Sequence, residues 1–224
     1  MLAIILGSGT PDLPIAADAF VINRHGASVA GSDHWSAANA SYARPHEINH
    51  ASNLRAIKEA GCDRVLAISS VGGLKPELGP GTLVCPDDFI AIQGTQVSAL
   101  EGAASHRVPG FDTEWRASVT AAFDGGEPLL RDGGVYWQAP GPRLETPAEI
   151  GFIAAHADVI GMTVASECIV AGELGLAYAA VCMVDNLANG VSGSALTLDD
   201  IDAQRQQNLG ALEAALTGAL PQLV

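Results

Sequence analysis

Two side chains near predicted structural boundaries could together recognise a flat heterocycle. Glu145 lies in "GPRLET", just ahead of a predicted helix start, and Asn186 follows the apolar run "AAVCMV". A carboxylate can accept a hydrogen bond from N1–H of a 6-oxopurine, while an amide can serve its O6 and N7. Both residues also have ordinary explanations, because carboxylates stabilise helix N-termini and polar residues form turns after strands. The pattern raises a purine site as a hypothesis.

Two glycine-rich turns after predicted strands could bind phosphate. "GSGT" at 7–10 and "SSVGGL" at 69–74 combine hydroxyl side chains with glycines that allow backbone N–H groups to surround an anion. Neither is a complete nucleotide-binding motif. Either alone is more typical of a tight turn, but the two together favour an anion site with Ser8, Ser69 and Ser70 as candidate ligands.

The segment "NRHG" at 23–26 could supply the charge that such a site needs. Arg24 and His25 can both donate hydrogen bonds to phosphate oxygens. The alternatives are a surface salt bridge for Arg24 and an ordinary loop position for His25.

Composition argues against a nucleic-acid partner and against a membrane-spanning segment. The 224 residues carry a formal net charge of −14 with 11 basic residues, which disfavours binding to nucleic acid through its phosphates. No apolar run is long enough to span a bilayer, and "MLAIILGSG" is expected to be a buried first strand rather than a signal peptide.

The four cysteines are spaced in a way that predicts no metal site and no redox motif. No two form a C-x-x-C pair, and no histidine stands at zinc-binding spacing from them; they are Cys62, Cys85, Cys168 and Cys182. Buried free thiols in a reducing cytoplasm are the expectation.

Segments of two kinds alternate along the chain and position these residues. Short apolar runs predict strands at 2–6, 15–22, 64–70, 82–85, 133–137, 158–162 and 177–184. Apolar spacing and caps predict helices at 47–60, from Thr146 to about His156, over "SECIVAGELG", and from Leu198 to the C-terminal region. The pattern predicts one α/β domain over 1–224, with a mixed central sheet flanked by helices and a mobile loop at about 26–44.

Longer ordered blocks carry a resemblance to a known family. They are "IILGSG", "PHEINHASNLRAIKEAGCDRVLAISSVGGLKPELGPGTLVCPDDFI" and "APGPRLETPAEIGFIAAHADVIGMTVASECIVAGELGLAYAAVCMV", followed by the Asn186 turn. Over nearly the whole chain the sequence resembles the trimeric purine nucleoside phosphorylase and methylthioadenosine phosphorylase family. The resemblance implies a homotrimer, or a hexamer built from two trimers, that converts a purine nucleoside and phosphate to a purine base and a sugar 1-phosphate.

The resemblance also implies roles for individual residues. Phosphate would be bound by Ser8, Arg24, His25, Ser69 and Ser70. Met162 would pack under the sugar, and Val71 and Leu144 would line the ribose and base pocket. Glu145 and Asn186 would face the purine as the catalytic pair.

One departure from the family concerns the cation for phosphate. In the family an Arg-His pair stands a few residues before the "P-H-x-I-N" block, whereas here "GASVAGSDHWSAANASYAR" intervenes. Either the loop carries an insertion or Arg24 and His25 are not the matching pair. His34 and Arg44 are the alternates.

The residues around Asn186 predict which base is preferred. Members of the family that prefer 6-aminopurines carry Asp at this position and again two residues later, where this chain has Asn186 and Ala188. An amide donates to a carbonyl and accepts from N7–H, which favours hypoxanthine or guanine. Asp185 is the neighbouring candidate: if it faced the base, adenine would be preferred.

The 5′ end of the sugar provides a second prediction. Purine nucleoside phosphorylases of the family bind the 5′-hydroxyl with a histidine after the Asn turn, but this chain has none after His156. Leu196 and Leu198 in that region would suit a 5′-methylthio group, or they simply pack the last helix. The combined prediction is S-methyl-5′-thioinosine, then inosine or guanosine, then methylthioadenosine.

Two other classes of function remain open. A hydrolytic nucleosidase would share the fold but use water and would need no phosphate site. A non-catalytic nucleoside-binding module is the other alternative, favoured by the altered segment at 24–44. No cofactor or metal is expected, and for the phosphorylase inorganic phosphate is a co-substrate.

Overall fold

The computed structural model describes residues 1–7, 19–26, 42–93, 97–193 and 196–224. Several predictions fall outside these ranges. They are the role of Ser8, the alternate His34, the first part of the strand expected at 15–22 and most of the loop expected at 26–44.

A nine-stranded mixed sheet forms the centre of the described part of the chain. Its strands are β1 (Leu2–Leu6), β2 (Phe20–Asn23), β3 (Arg64–Gly73), β4 (Leu83–Cys85), β5 (Asp88–Ile90), β6 (Leu130–Asp132), β7 (Val135–Gln138), β8 (Val159–Gly161) and β9 (Ala177–Leu187). One path through it runs β5-β7-β8-β3-β9-β4-β6, while β1 joins β3 to β2. The predicted α/β class with a mixed sheet is confirmed.

The long strand β3 changes partner along one of its edges. Its first half pairs in parallel with β1 as far as Ile68, and its last two residues, Gly72 and Gly73, pair antiparallel with β8. The opposite edge pairs with β9 throughout. Between the two partners, residues 69–71 have no ladder partner on this edge within the described ranges, and the sheet opens there.

Five α-helices lie against the sheet in the described part of the chain. They are α1 (His50–Glu59), α2 (Thr113–Ala122), α3 (Pro147–Ile153), α4 (Val164–Glu173) and α5 (Leu198–Ala219). Successive strand residues face opposite sides: Ala3 packs with α1 and α4, whereas Ile4 packs with α2 and α5. The sheet therefore has an apolar core on each face.

The predicted start of α3 is confirmed in detail. Thr146 caps the helix and Pro147 is its first residue, and the Glu149 side chain accepts from the Thr146 backbone N–H at 2.8 Å. Since Glu145 directly precedes this capping box, its position is fixed by a stable helix start.

The segment 91–132 contains elements that the sequence patterns above did not predict. Helix α2 begins after Asp112, whose carboxylate accepts from Trp115 N at 2.8 Å, and strand β6 pairs with β4. Within the described residues, no helix has the length and apolar character needed to cross a membrane.

Candidate active site

A cavity of about 310 Å³ lies where the sheet opens beside β3. It is walled by the carboxyl ends of β3 and β9, by β8, and by segments that precede α3 and α5. Its lining residues are Arg24, His25, Tyr42, Arg44, Pro45, Ser69, Ser70, Val71, Gly72, Ala139, Pro142, Leu144, Glu145, Ile160, Gly161, Met162, Thr163, Asn186, Ala188, Asn189, Leu196, Leu198 and Ile201. Strand ends of this kind are the usual ligand sites of open α/β sheets.

A bulge in β9 separates Asp185 from Asn186. Val71 of β3 pairs with Val184, but Gly72 pairs with Asn186, so Asp185 is the extra residue. Asn186 lines the cavity and is half-buried. Its Nδ2 donates to Leu187 O at 2.9 Å, and among the described residues this leaves the amide oxygen and one N–H for a ligand.

Asp185, the neighbouring candidate for contact with the base, needs correction as a substrate-binding residue because it does not line the cavity. Its side chain is buried on the α5 face, where Asn208 Nδ2 donates to it at 3.1 Å and the Ser70 hydroxyl donates to its other oxygen. Asp185 is absent from the cavity lining. Burial raises the pKa of the Asp185 carboxyl, although both hydrogen bonds oppose that shift. Strand alternation explains the correction, because adjacent residues face opposite sides.

Glu145 lines the same cavity as Asn186 and is half-buried. Burial raises the pKa of its carboxyl, while a backbone hydrogen bond opposes the shift. Its backbone oxygen accepts from Asn189 Nδ2 at 3.1 Å, and Asn189 Oδ1 accepts from Leu196 N at 3.4 Å. Asn189 thus joins the Glu145 segment to the segment that leads into α5.

The two serines at the end of β3 differ in their surroundings. Both line the cavity. The Ser70 hydroxyl donates its only proton to Asp185 and cannot donate it to phosphate at the same time. Ser69 is buried, and its hydroxyl donates to Ser70 O across a long 3.4 Å contact.

Arg24 lies at the cavity in a buried ion pair with Glu167. Its Nη2 donates to Glu167 Oε2 at 3.0 Å, Nε donates to Oε1, and Nη1 donates to Ile68 O at 3.2 Å. Arg24 is 3% exposed and Glu167 is 1% exposed. A Cβ at Gly7 would lie 2.6 Å from Nη1, so glycine there makes room for the guanidinium. Arg24 is therefore not a surface salt-bridge residue.

Two further buried groups surround the carboxylate of Glu167. The Tyr178 hydroxyl donates to Oε2 at 2.7 Å, and His50 Nδ1 lies 3.9 Å from Oε1. Burial would raise the pKa of Glu167, but Arg24 reverses the shift and the carboxyl pKa is lowered. Burial acts on Arg24 in the opposite direction, and Glu167 reverses that shift so that the pKa of Arg24 is raised. The pair is ionised.

His25 and Arg44 occupy the same side of the cavity. His25 Nδ1 lies 2.8 Å from Ala43 O, so it must carry a proton, and the ring stacks on Tyr42 at 4.5 Å between centroids. The alternate cation Arg44 also lines the cavity, but it is exposed and paired with Glu47.

The predicted apolar contacts surround the rest of the cavity. Five residues predicted from the sequence to bind substrate line it, namely Val71, Leu144, Met162, Ala188 and Leu196. A Cβ at Gly141, whose φ is +61°, would lie 2.7 Å from the Met162 sulfur, so this glycine permits a close approach. Leu198 and Ile201 extend the apolar wall, and Leu198 is 59% exposed rather than packed in the core.

Two residues that hold the site together were not predicted. Glu167 was recognisable as a lone carboxylate in the apolar stretch "SECIVAG" of a buried helix, and Asn189 as an amide in the turn after Asn186. Within the described residues, no group of three or more His, Cys, Asp or Glu side chains is arranged to hold a metal ion.

A family model described as "Phosphorylase superfamily" matches residues 43–221. The match covers most of the chain and includes β3, the Glu145 segment and the Asn186 turn. The chain belongs to the phosphorylase superfamily.

Curated relatives in this superfamily carry two kinds of name. The chain is 40% identical to the Archaeoglobus fulgidus protein named "Probable 6-oxopurine nucleoside phosphorylase", over 73% of this chain and 68% of the relative. It is 35% identical to the Methanothermobacter thermautotrophicus protein named "Probable S-methyl-5'-thioinosine phosphorylase", over 77% of this chain and 62% of the relative. The match thus spans less than two thirds of the second relative's length.

Solved structures share the fold of this chain. Methylthioadenosine phosphorylase from Schistosoma mansoni in complex with adenine superposes with a TM-score of 0.80 over 99% of this chain and 91% of that chain, at 20% identity. The complex of the same protein with tubercidin gives a TM-score of 0.76 over 98% and 90% of the two chains, at 21% identity.

Proposed function

We propose that this protein catalyses phosphorolysis of a 6-oxopurine nucleoside, with S-methyl-5′-thioinosine as the preferred substrate. The products would be hypoxanthine and 5-methylthioribose 1-phosphate. The observation that carries the proposal is that β9 presents Asn186 to the cavity and turns Asp185 to the opposite face.

Base recognition would depend on Glu145 and Asn186. The Glu145 carboxylate accepts from N1–H, and the Asn186 amide donates its remaining N–H to O6. Adenine lacks the N1–H and carries an amine in place of O6, so polar groups would be left unpaired with it. A site of this kind can reject the wrong base strongly. The two names found among the relatives, 6-oxopurine nucleoside phosphorylase and S-methyl-5′-thioinosine phosphorylase, support an oxopurine.

The sugar end supports a 5′-methylthio group. Leu196, Leu198 and Ile201 give the cavity an apolar wall next to Asn189. An apolar thioether gains more from such a wall than a hydroxyl group does. Inosine or guanosine is the second candidate, and methylthioadenosine is the third.

The mechanism needs no covalent intermediate. The bond from C1′ to N9 lengthens, the sugar takes on oxocarbenium character, and a phosphate oxygen then bonds to C1′. The bonding electrons leave with the base, where charge spreads towards O6 and N7. A hydrogen bond from Asn186 strengthens as that charge develops, so it lowers the barrier rather than only the KM.

Phosphate would be held at the cavity by Arg24, His25 and Ser69, with Ser8 as a further candidate. Because the Nδ1–H of His25 donates to Ala43 O, its Nε2 can donate a hydrogen bond to phosphate only when the imidazole is doubly protonated. Arg44 is the alternate cation. Phosphate is a co-substrate, and we propose no metal or other cofactor.

Initial rates on five nucleosides, measured with and without phosphate, test the proposal. The panel is methylthioinosine, methylthioadenosine, inosine, guanosine and adenosine, with base release followed by chromatography. We expect phosphate-dependent release that is fastest, by kcat/KM, with methylthioinosine. An adenine nucleoside as the best substrate would refute the assignment of Asn186.

The same panel separates the other classes of function. Full-rate release without phosphate or arsenate would identify a hydrolytic nucleosidase. Binding of nucleosides without turnover of any of them would identify a binding module.

We also propose a homotrimer, or two trimers, in the cytoplasm. The four buried thiols fit a reducing compartment, and the negative net charge disfavours a nucleic-acid partner. Light scattering of the purified protein tests the assembly.

A further inference from the structure

Glu167 is a buried carboxylate that contacts the cavity only through another residue. It lies in the first turns of α4 among apolar neighbours and is absent from the cavity lining, whereas its partner Arg24 is part of that lining. A lone carboxylate in such a position would cost several kcal/mol by the general magnitude, so it is tolerated only because it is paired.

The pair fixes the guanidinium in one orientation. Glu167 accepts two of the N–H groups of Arg24, and Ile68 O accepts a third. Tyr178 in turn holds the carboxylate with a 2.7 Å hydrogen bond. A guanidinium has five N–H donors, and since the described residues accept three of them, two are available to a ligand.

The charge of Glu167 opposes the binding of an anion at Arg24. A carboxylate next to the guanidinium repels phosphate and cancels part of the attraction. If charge alone mattered, replacement of Glu167 by a neutral residue would tighten phosphate binding. The structure instead favours a geometric contribution, because a fixed fork of donors matches phosphate oxygens better than a freely rotating one.

We propose that Glu167 is a positioning residue that orients Arg24 for the phosphate co-substrate, with Tyr178 holding Glu167 in place. This inference rests on the proposed function. It makes the buried network behind the cavity a determinant of phosphate affinity and not only of stability.

Two substitutions separate geometry from charge. Glu167→Gln keeps the shape and removes the charge, whereas Glu167→Asp keeps the charge and shortens the reach to Arg24. If the orientation of Arg24 matters, both substitutions raise the phosphate KM by about 10- to 100-fold, since each weakens a hydrogen bond to the charged guanidinium. The nucleoside KM at saturating phosphate should change by less than about threefold in both, because Glu167 does not line the cavity.

Two more variants serve as controls. Glu173→Gln changes a carboxylate of the same helix that bonds to Ser98 and Ala99 instead, and we expect its phosphate KM to match the unmodified protein. Tyr178→Phe removes one hydrogen bond to Glu167 and should raise the phosphate KM by about 2- to 10-fold. If the Glu167 variants do not fold, the phosphate KM of Tyr178→Phe alone tests the inference.

The outcomes are distinct. A phosphate KM that is unchanged or lower in Glu167→Gln and in Tyr178→Phe overturns the inference while the proposed function stands. Phosphate-independent base release by the unmodified protein refutes the proposed function first. Equal rises in the phosphate and nucleoside KM would indicate general damage to the cavity and also overturn the inference.

Discussion

The two ends of the cavity differ in how their polar groups are held. At the cation end, Arg24 and Glu167 are almost fully buried and share four hydrogen bonds with each other, Tyr178 and Ile68. At the base end, Glu145 and Asn186 are half-buried and belong to a loop and a strand end.

We expect the two ends of the cavity to tolerate substitution differently. A buried ion pair cannot lose one member without leaving an uncompensated charge. The base end can exchange an amide for a carboxylate with less structural cost, because Asn186 is partly exposed and lies one residue before the end of β9. Changes in base preference are therefore expected at Asn186, while the cation end is expected to resist substitution.

The largest expected effect is on stability at the cation end. Arg24→Met leaves the Glu167 carboxylate buried without its cation, so the free energy of unfolding should fall by about 3–5 kcal/mol. Urea denaturation measures this. The double variant Arg24→Met with Glu167→Leu should recover most of the loss, because an apolar pair has no charge to desolvate.

An exposed ion pair provides the matched control. Arg143→Met removes the partner of Glu149 near the start of α3, and no measurable loss is expected because the Arg143 side chain is 66% exposed and that of Glu149 is 34% exposed. Equal losses in Arg24→Met and Arg143→Met would contradict the distinction between the two ends.

The second effect is catalytic and concerns the base end. Asn186→Ala should lower kcat by roughly 10²–10³, the general magnitude for a lost donor to developing negative charge. Stopped-flow or steady-state rates with methylthioinosine measure it. Asp185→Asn, on the opposite face of β9, should keep the preference for oxopurines. A loss of kcat/KM below about tenfold in Asn186→Ala would exclude Asn186 as the donor to the leaving base.

Strand ends were predictable because local chemistry determines them. Apolar runs that end in polar residues located Ser69 and Asn186, and the Thr146 capping box located Glu145. The orientation of Asp185 was also predictable from the alternation of side chains along β9. Residues 179, 181 and 183 pack on the α2 and α5 face, and Asp185 lies on the same face.

Long-range partners were not predictable in the same way. Arg24 and Glu167 are 143 residues apart, and no local pattern states that they pair. Helix α2 is a different case, because the sequence pattern was sufficient to predict it. Asp112 caps the helix, and the buried residues Trp115, Val119 and Ala122 follow at helical spacing.

The third effect is a pH dependence of stability at the cation end. Burial lowers the pKa of His50, with Glu167 opposing and Arg24 adding to the shift. Below pH 6.5 the unfolded chain therefore binds more protons at this residue than the native protein, and acidification destabilises the fold. This one group contributes at most about 1.4 kcal/mol per pH unit. Urea denaturation between pH 5 and 7.5 should show a smaller loss for His50→Gln, and identical slopes would contradict it.

The smallest effect concerns the link between the two loops of the base end. Asn189→Ala removes the hydrogen bonds to Glu145 O and from Leu196 N, and the nucleoside KM should rise by about 2- to 10-fold, as expected for one or two neutral hydrogen bonds. Asn189→Asp keeps the acceptor for Leu196 N but loses the donor to Glu145 O, so it isolates the link to Glu145. The phosphate KM should stay constant in both variants, because Asn189 contacts neither Arg24 nor Glu167. If the phosphate KM rose in parallel, the two ends would be coupled, and the contrast between a rigid cation end and an adjustable base end would be wrong.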